Sequence, residues 1–203
     1  MIAKRLFDIF LSAIGLLVLM PLFVVIALWI KIDSTGPVFF RQERVGRYEK
    51  IFRIHKFRTM TTQAAMSGPP LTVGNDVRTT LCGRFLRQHK LDELPQLIDV
   101  LRGDMSLVGP RPEVPRYVAH YSAEEKATVL SVRPGITDFA AIAFRDENVL
   151  LGRSDNPERD YLEKILPVKL THYRKYVNER TFRLDLWLIF ATIRRLLASA
   201  NDI

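Results

Sequence analysis

The sequence predicts an α+β fold, mainly helical with a small β-hairpin or sheet, hung on an N-terminal membrane helix. Three observations carry this expectation. Residues 6–32 form one long apolar run. Several later segments repeat apolar residues at i, i+3, i+4 and i+7, the spacing of a helix that buries one face. Only two short stretches, 38–42 and 51–57, look like strands, set around a turn at Gly46. At 203 residues the chain is one domain with appendages, large enough for a core but not for two independent ones.

A formal net charge of +8 points to an acidic partner, and nucleic acid, anionic lipid and nucleotide phosphates all qualify on charge alone. Nothing resembles a helix-turn-helix, a zinc finger or aromatic RNA-binding strands, so nucleic acid is not expected. The single cysteine, Cys82, excludes an internal disulfide and reads as a small buried hydrophobe on a helix face. His55, His89, His120 and His172 are scattered, without a metal-ligand spacing. A divalent ion held by carboxylate and substrate phosphate stays open, because magnesium needs few protein ligands.

The run 6–32 inserts into a membrane. Its apolar residues each favour the helix centre by about 0.3–0.6 kcal/mol, and together they exceed the ~3 kcal/mol cost of Pro21. Lys4 and Arg5 flank one end and Lys31 the other, with Arg41, Arg44, Arg47 and Lys50 beyond, so positive charge marks no inside or outside. Residues 6–20 alone would rise about 22 Å, short of the ~30 Å hydrocarbon core. A broken, re-entrant helix and a kinked span both fit this pattern. Asp8, at i+4 from Lys4 and i+3 from Arg5, is expected to pair with them on one helix face.

Further along, Lys56 and Arg58 alternate with Phe57, which predicts two cations on one side of a strand. Residues 67–76 form a Gly/Pro/Asn-rich loop with the character of a flap. A helix is expected over 79–90, presenting Arg84 and Arg87. Asp92 and Glu93 precede Leu94, Leu97, Ile98 and Leu101, which predicts a short helix with Asp92 near its N-cap and Pro95 in its first turn. Carboxylates cap helices in any protein, yet the same position suits a nucleophile or metal ligand near phosphate. Arg111, stiffened between Pro110 and Pro112, can present a planar fork to an anion. Ser122 and Glu125 spell a capping box. Arg133, Pro134 and Gly135 form a turn before an apolar strand or buried loop at 136–144. Asn156 and Pro157 open a helical region to about Val177, divided by Pro167, whose charges read as a solvated face. Residues 183–200 form an amphipathic helix that either lies on anionic lipid or packs on the core.

LDELPQLIDVLRGDMSLVGPRPE, with KFRTM at 56–60 and RPGIT at 133–137, resembles the monotopic phosphoglycosyl transferases, a family of bacterial sugar transferases. The similarity extends from Lys4 to the last helix. It implies an anchor at 1–33, formed by a re-entrant helix, and a catalytic part at 34–203 on the cytoplasmic face of the bacterial inner membrane. It further implies transfer of a phospho-sugar from a UDP-sugar to polyprenol phosphate, such as undecaprenyl phosphate, with release of UMP. By resemblance, Asp92 is the nucleophile and Glu93 the magnesium ligand. Arg111 and Arg87 offset phosphate charge, and Lys56 and Arg58 lie near the nucleotide phosphates or lipid head groups. Anionic membrane lipids are the remaining expected partner; no residue motif names the sugar or the oligomeric state. A glycosyl transferase releasing UDP and a basic membrane adaptor are the competing readings. The chain departs from the family at three places: Met20 replaces a serine before the proline, Gln88 to Lys90 replace small hydroxyl residues, and Asp138 stands where glycine is common.

Overall fold

The computed structural model describes residues 2–61, 76–144, 151–152 and 154–198, with only the backbone of 196–198. The predicted flap lies outside them, apart from Asp76.

Helix α1 (Ile2–Asp33) runs unbroken through Pro21, and its 32 residues rise about 48 Å. One narrow face, through Asp8, Ser12, Ile26 and Ile30, is buried, while Leu6, Phe10, Leu17, Val18, Val25, Leu28 and Ile32 stand exposed. Both ends grip the same body. Lys4 Nζ donates to the Val108 carbonyl at 3.1 Å and pairs with Asp185 at 2.5 Å. Arg5 donates to the Val100 and Leu101 carbonyls at 2.7 and 3.1 Å, and Asp8 accepts from Ser106 Oγ at 2.8 Å. The expected pairing of Asp8 with Lys4 and Arg5 inside the helix is therefore corrected, because each charge finds a partner in the body instead. At the other end Arg58 donates to the Ser34 and Thr35 carbonyls, both at 2.7 Å.

Strands β1 (Phe39–Val45) and β2 (Ile51–Phe57) form the expected antiparallel hairpin, in register from Phe39 opposite Phe57 to Val45 opposite Ile51. Helix α2 (Leu81–Gln88) is capped by Thr80, whose Oγ1 accepts from the Gly83 amide at 3.0 Å. Asp33 Oδ2 accepts from the Cys82 amide at 2.9 Å, which ties the end of α1 to the start of α2. Ile26 and Ile30 of α1 share a core with Phe57, Cys82 and Leu86, so α1 and the hairpin are one packed unit. Burial pushes the Cys82 thiol up to about 11, as befits an inert hydrophobe.

Helix α3 (Gln96–Arg102) leads into β3 (Ser106–Val108), which pairs in parallel with β4 (Gly135–Thr137). Between them lie α4 (Pro115–Val118) and α5 (Ala123–Val129), the latter started by the Ser122/Glu125 capping box read from the sequence. The strand or loop expected at 136–144 holds as strand only to Thr137, the end of β4; beyond it lies a helix, α6 (Phe139–Ala143). Asp138 initiates it, with Oδ1 accepting from the Ala141 amide at 2.6 Å. Helix α7 (Pro157–Asp160) starts at Asn156 as expected, and a π-helical turn, Tyr161–Ile165, joins it to α8 (Leu166–Glu179). The main core gathers Tyr117, Tyr121, Leu151, Tyr161, Leu170 and Tyr173 around α8. Helix α9 (Phe182–Ala198) packs Leu188 into the core with Val108 and Tyr176. Its other face leaves Phe182, Leu186, Trp187, Phe190 and Ile193 exposed.

Candidate active site

The Asp-Glu pair lies in a tight connection between two helices. After α2, Lys90 adopts left-handed backbone (φ 56°, ψ 23°), and Leu91–Glu93 make one 3-10 turn closed by the Leu94 amide on the Leu91 carbonyl at 3.2 Å. Pro95, not Asp92, is the N-cap of α3, which corrects the expected placement. In a helix capped by Asp92, Pro95 would stand at the third position, where it has no N–H to give the Asp92 carboxylate, so that cap loses one of its two usual donors. Burial first, and the adjacent Glu93 second, raise the Asp92 carboxyl above its ordinary value, against the positive charges of Lys56, Arg87 and Lys90. Burial and neighbouring charges, rather than helix-end donors, act on this carboxyl. A half-buried carboxyl raised in this way is more basic, which favours attack once it is ionised.

The hydrogen bonds gathered at the pair go to Glu93. Lys56 Nζ donates to Oε1 at 2.7 Å, and Arg111 grips both oxygens, with Nη1 on Oε2 at 2.9 Å and Nη2 on Oε1. Burial opposes the Glu93 charge, but Arg111 and Lys56 outweigh it and hold the carboxyl well below the usual range. Glu93 in turn holds the Arg111 guanidinium charged despite its burial.

Arg111 is held by two interlocked loops. The Gly109 amide donates to the Thr137 carbonyl at 3.0 Å and the Gly135 amide to Pro110 at 2.9 Å. A Cβ on Gly135 would come within 2.0 Å of the Gly109 nitrogen, so GPRP and RPGIT fit together only with hydrogen at that position. Behind them lies buried Glu113, which accepts from Tyr161 OH at 2.7 Å and Lys169 Nζ at 3.1 Å. Arg44 Nη1 donates to the Pro112 carbonyl at 2.9 Å. Asp138 is also buried, and burial pushes its carboxyl up to about 6, against the Ala141 amide and the charges of Lys169 and Arg111. Its Oδ2 meets no bonding partner among the described residues. Asp138 is therefore a group packed behind the site and not an exposed turn residue.

On the hairpin side, Asp99 of α3 accepts from the His55 backbone amide at 2.8 Å and pairs with its ring Nδ1 at 2.6 Å. That bond pair clamps β2 to α3 beside the contact of Lys56 with Glu93. Arg87 Nε donates to Thr59 Oγ1 at 2.8 Å. This approach depends on Gly83, where a Cβ would lie 2.1 Å from the Thr59 carbonyl oxygen. The structure thus brings together Asp92, Glu93, Lys56, Arg87 and Arg111. It does not bring Arg58, whose guanidinium closes the end of α1. The strand ends at Phe57, so the alternation that put Lys56 and Arg58 on one side stops one residue short.

Sequence reasoning missed Arg44, His55, Asp99, Glu113, Tyr161 and Lys169. For Lys169 a signal existed: it sits beside Leu166, Leu170 and Tyr173 on the apolar stripe of α8, and it is only 4% exposed. Charge alone had placed it on a solvated face.

A family model described as bacterial sugar transferase matches residues 1–199. The chain belongs to the bacterial sugar transferase family. Among its relatives, an undecaprenyl-phosphate glucose phosphotransferase of Komagataeibacter xylinus is 40% identical over 99% of this chain and 37% of its own length. A UDP-glucose:undecaprenyl-phosphate glucose-1-phosphate transferase of Klebsiella pneumoniae is 38% identical over 95% of this chain and 40% of its own length. The chain thus spans well under half of these two relatives. An exopolysaccharide production protein, PSS, of Rhizobium leguminosarum bv. phaseoli is 36% identical over 95% of this chain and 94% of its own length.

Among the described residues no group of three or more His, Cys, Asp or Glu side chains is placed to hold a metal. The adjacent carboxylates of Asp92 and Glu93 suit a hard ion such as magnesium, which takes its remaining ligands from water and substrate phosphate.

Proposed function

We propose that this chain transfers a phospho-sugar from a UDP-sugar to a polyprenol phosphate through a covalent aspartyl intermediate. The carrying observation is the half-buried Asp92 carboxyl beside Glu93, which Arg111 and Lys56 grip. An Asp92 oxygen attacks the sugar-bearing β-phosphorus, the bond to the bridging oxygen breaks, and UMP leaves with that electron pair. Arg111, Lys56 and Arg87 are the cations available to hold the diphosphate and offset charge on the transferring group. Magnesium, when bound through Glu93, would add Lewis-acid stabilisation of the diphosphate. Splitting the transfer in two lets a water-soluble donor and a lipid acceptor use the site in turn.

The same reading makes the chain monotopic, on the cytoplasmic face of the inner membrane. Its support is that Lys4, Arg5 and Asp8 at one end of α1, and Asp33 and the residues held by Arg58 at the other, all bond to one body. A helix crossing the bilayer would put those ends on opposite faces, where a body on one face could not hold both. The exposed apolar faces of α1 and α9 would rest in the leaflet, with their neighbouring cations near anionic head groups.

The deciding experiment is a single turnover with labelled UDP-sugar and no lipid acceptor. Wild-type protein should release UMP and carry phospho-sugar on the peptide containing Asp92, whereas Asp92→Asn should bind the donor and release none. UMP appearing only when polyprenol phosphate is present, with no adduct, would make the reaction a direct displacement. Release of UDP would make it glycosyl transfer.

A further inference from the structure

We propose that the acceptor lipid, an apolar chain ending in a phosphate, docks along a ladder of three rings, Trp29, Phe85 and His89, that leads from the outer face of α1 toward Asp92. The inference rests on the transfer reading above, since it locates that reading's second substrate.

Trp29 of α1 lies 5.3 Å from Phe85 of α2, centre to centre, and Phe85 lies 4.2 Å from His89. The His89 Nδ1–H donates to the Phe85 carbonyl at 2.9 Å, which fixes the last ring three residues before Asp92. Trp29 and Phe85 remain 39% and 42% exposed, so the ladder is a surface and not an interior stack. Val25, Leu28, Ile32 and Leu81 beside it are exposed as well, and the apolar strip is continuous with the outer side of α1. An aromatic, half-exposed strip of this kind suits a ligand with an apolar body.

The other end of the strip is cationic. Arg87 and Lys90 follow Phe85 in the chain, and both act as positive charges on the Asp92 carboxyl. Rings at one end and cations at the other match a lipid phosphate; the uracil of a UDP-sugar can stack on a single ring, but only an apolar chain also covers Val25, Leu28 and Ile32 on the outer side of α1. In the step this would serve, an oxygen of the lipid phosphate attacks the phosphorus held by Asp92. A P–O–P link forms, the bond from phosphorus to the Asp92 oxygen breaks, and the electron pair returns to the carboxylate. Arg87 and Lys90 offset the repulsion between the two approaching phosphates.

The test uses the full chain in lipid nanodiscs and a short polyprenyl phosphate bearing a diazirine on its first isoprene unit. After photolysis the label should map to residues 25–32 or 81–91; label confined to α9 would overturn the assignment. In steady-state kinetics, the Trp29→Ala/Phe85→Ala double variant should raise KM for polyprenol phosphate by about tenfold, with KM for the UDP-sugar changing less than about twofold. Phe85→Tyr should restore most of the lost lipid affinity. Equal changes in both KM values would make the ladder a packing feature and refute the proposal. So would an equal rise in lipid KM for Trp187→Ala, which removes a ring from the exposed face of α9. Failure of wild-type protein to form the covalent adduct would refute the transfer reading itself, so the two failures are distinguishable.

Discussion

Replacing Lys169 by methionine removes a charge and keeps most of the side-chain volume. Lys169 and Glu113 are 4% and 6% exposed, and their bond is 3.1 Å long. Breaking such a pair leaves a carboxylate buried with one cation fewer, which costs roughly 3–5 kcal/mol. In a chain of this size each kcal/mol shifts the thermal midpoint by about 2–4 °C, so Lys169→Met should lower it by roughly 6–20 °C. Adding Glu113→Gln should recover part of that loss, since the second change removes the stranded charge. The double variant should therefore be more stable than the sum of the two single effects allows. Thermal unfolding of detergent-purified protein at pH 7 gives all four corners of the cycle. A midpoint for Lys169→Met within about 2 °C of wild type would refute the argument, as would strict additivity. Acid should have a related effect on wild-type protein. Burial opposes the Glu113 charge, but Lys169 and Arg44 outweigh it and hold the carboxyl below its ordinary value of 4.5. Its contribution is present above that value and is lost as pH falls through the lowered one.

Two further outcomes follow from the site. Arg111→Lys exchanges a two-pronged grip on Glu93 for a point charge, losing at least one charge-assisted bond worth about 1.5–3 kcal/mol. UMP release should fall by roughly 10- to 150-fold, and a rate within twofold of wild type would show that charge alone suffices. Asp138→Asn keeps the cap on the Ala141 amide but cannot ionise. Because the wild-type carboxyl titrates near 6 in the fold, against an ordinary 3.8, wild-type stability should decline as pH rises from about 4 to 6. The variant should escape that decline, gaining at most about 3 kcal/mol above pH 6 and nothing below pH 4; a gain independent of pH would refute the burial of an ionised Asp138.

Local signals read well from the sequence, and pairings between distant segments did not. The Ser122/Glu125 capping box, the Asn156 cap and the turn at Gly46 each depend on residues within a few positions of one another, so spacing identified them. Asp92 was misplaced by one turn for a local reason too, since Pro95 was read as a tolerated first-turn residue and not as the helix cap. Arg58 and Lys169 failed differently. Each is buried by a partner far along the chain, the end of α1 for Arg58 and Glu113 for Lys169. The apolar stripe of α8 marks Lys169 as facing the core, but no helical or strand window names either partner. GPRP and RPGIT were legible as motifs, but their interlocking was not, because it depends on the approach of Gly135 to Gly109 across the parallel pair of strands.

The excess of positive charge explains how the anchor is held. With 30 Lys and Arg against 22 Asp and Glu, the chain has more cations than carboxylates to pair with them. At two places the partner is instead the carbonyl-rich end of a helix. Arg5 closes α3 through the Val100 and Leu101 carbonyls, and Arg58 closes α1 through Ile30, Ser34 and Thr35. Both caps join α1 to the body, and both rely on groups that do not titrate in the physiological range: guanidinium on one side, backbone carbonyl on the other. Glu113 and Asp138, behind Arg111, do titrate. Burial raises the Asp8 carboxyl that accepts from Ser106, whereas at Glu113 burial is outweighed by Lys169 and Arg44, which hold it low, so acid reaches this one contact of α1 before it reaches Glu113, while the two guanidinium caps persist.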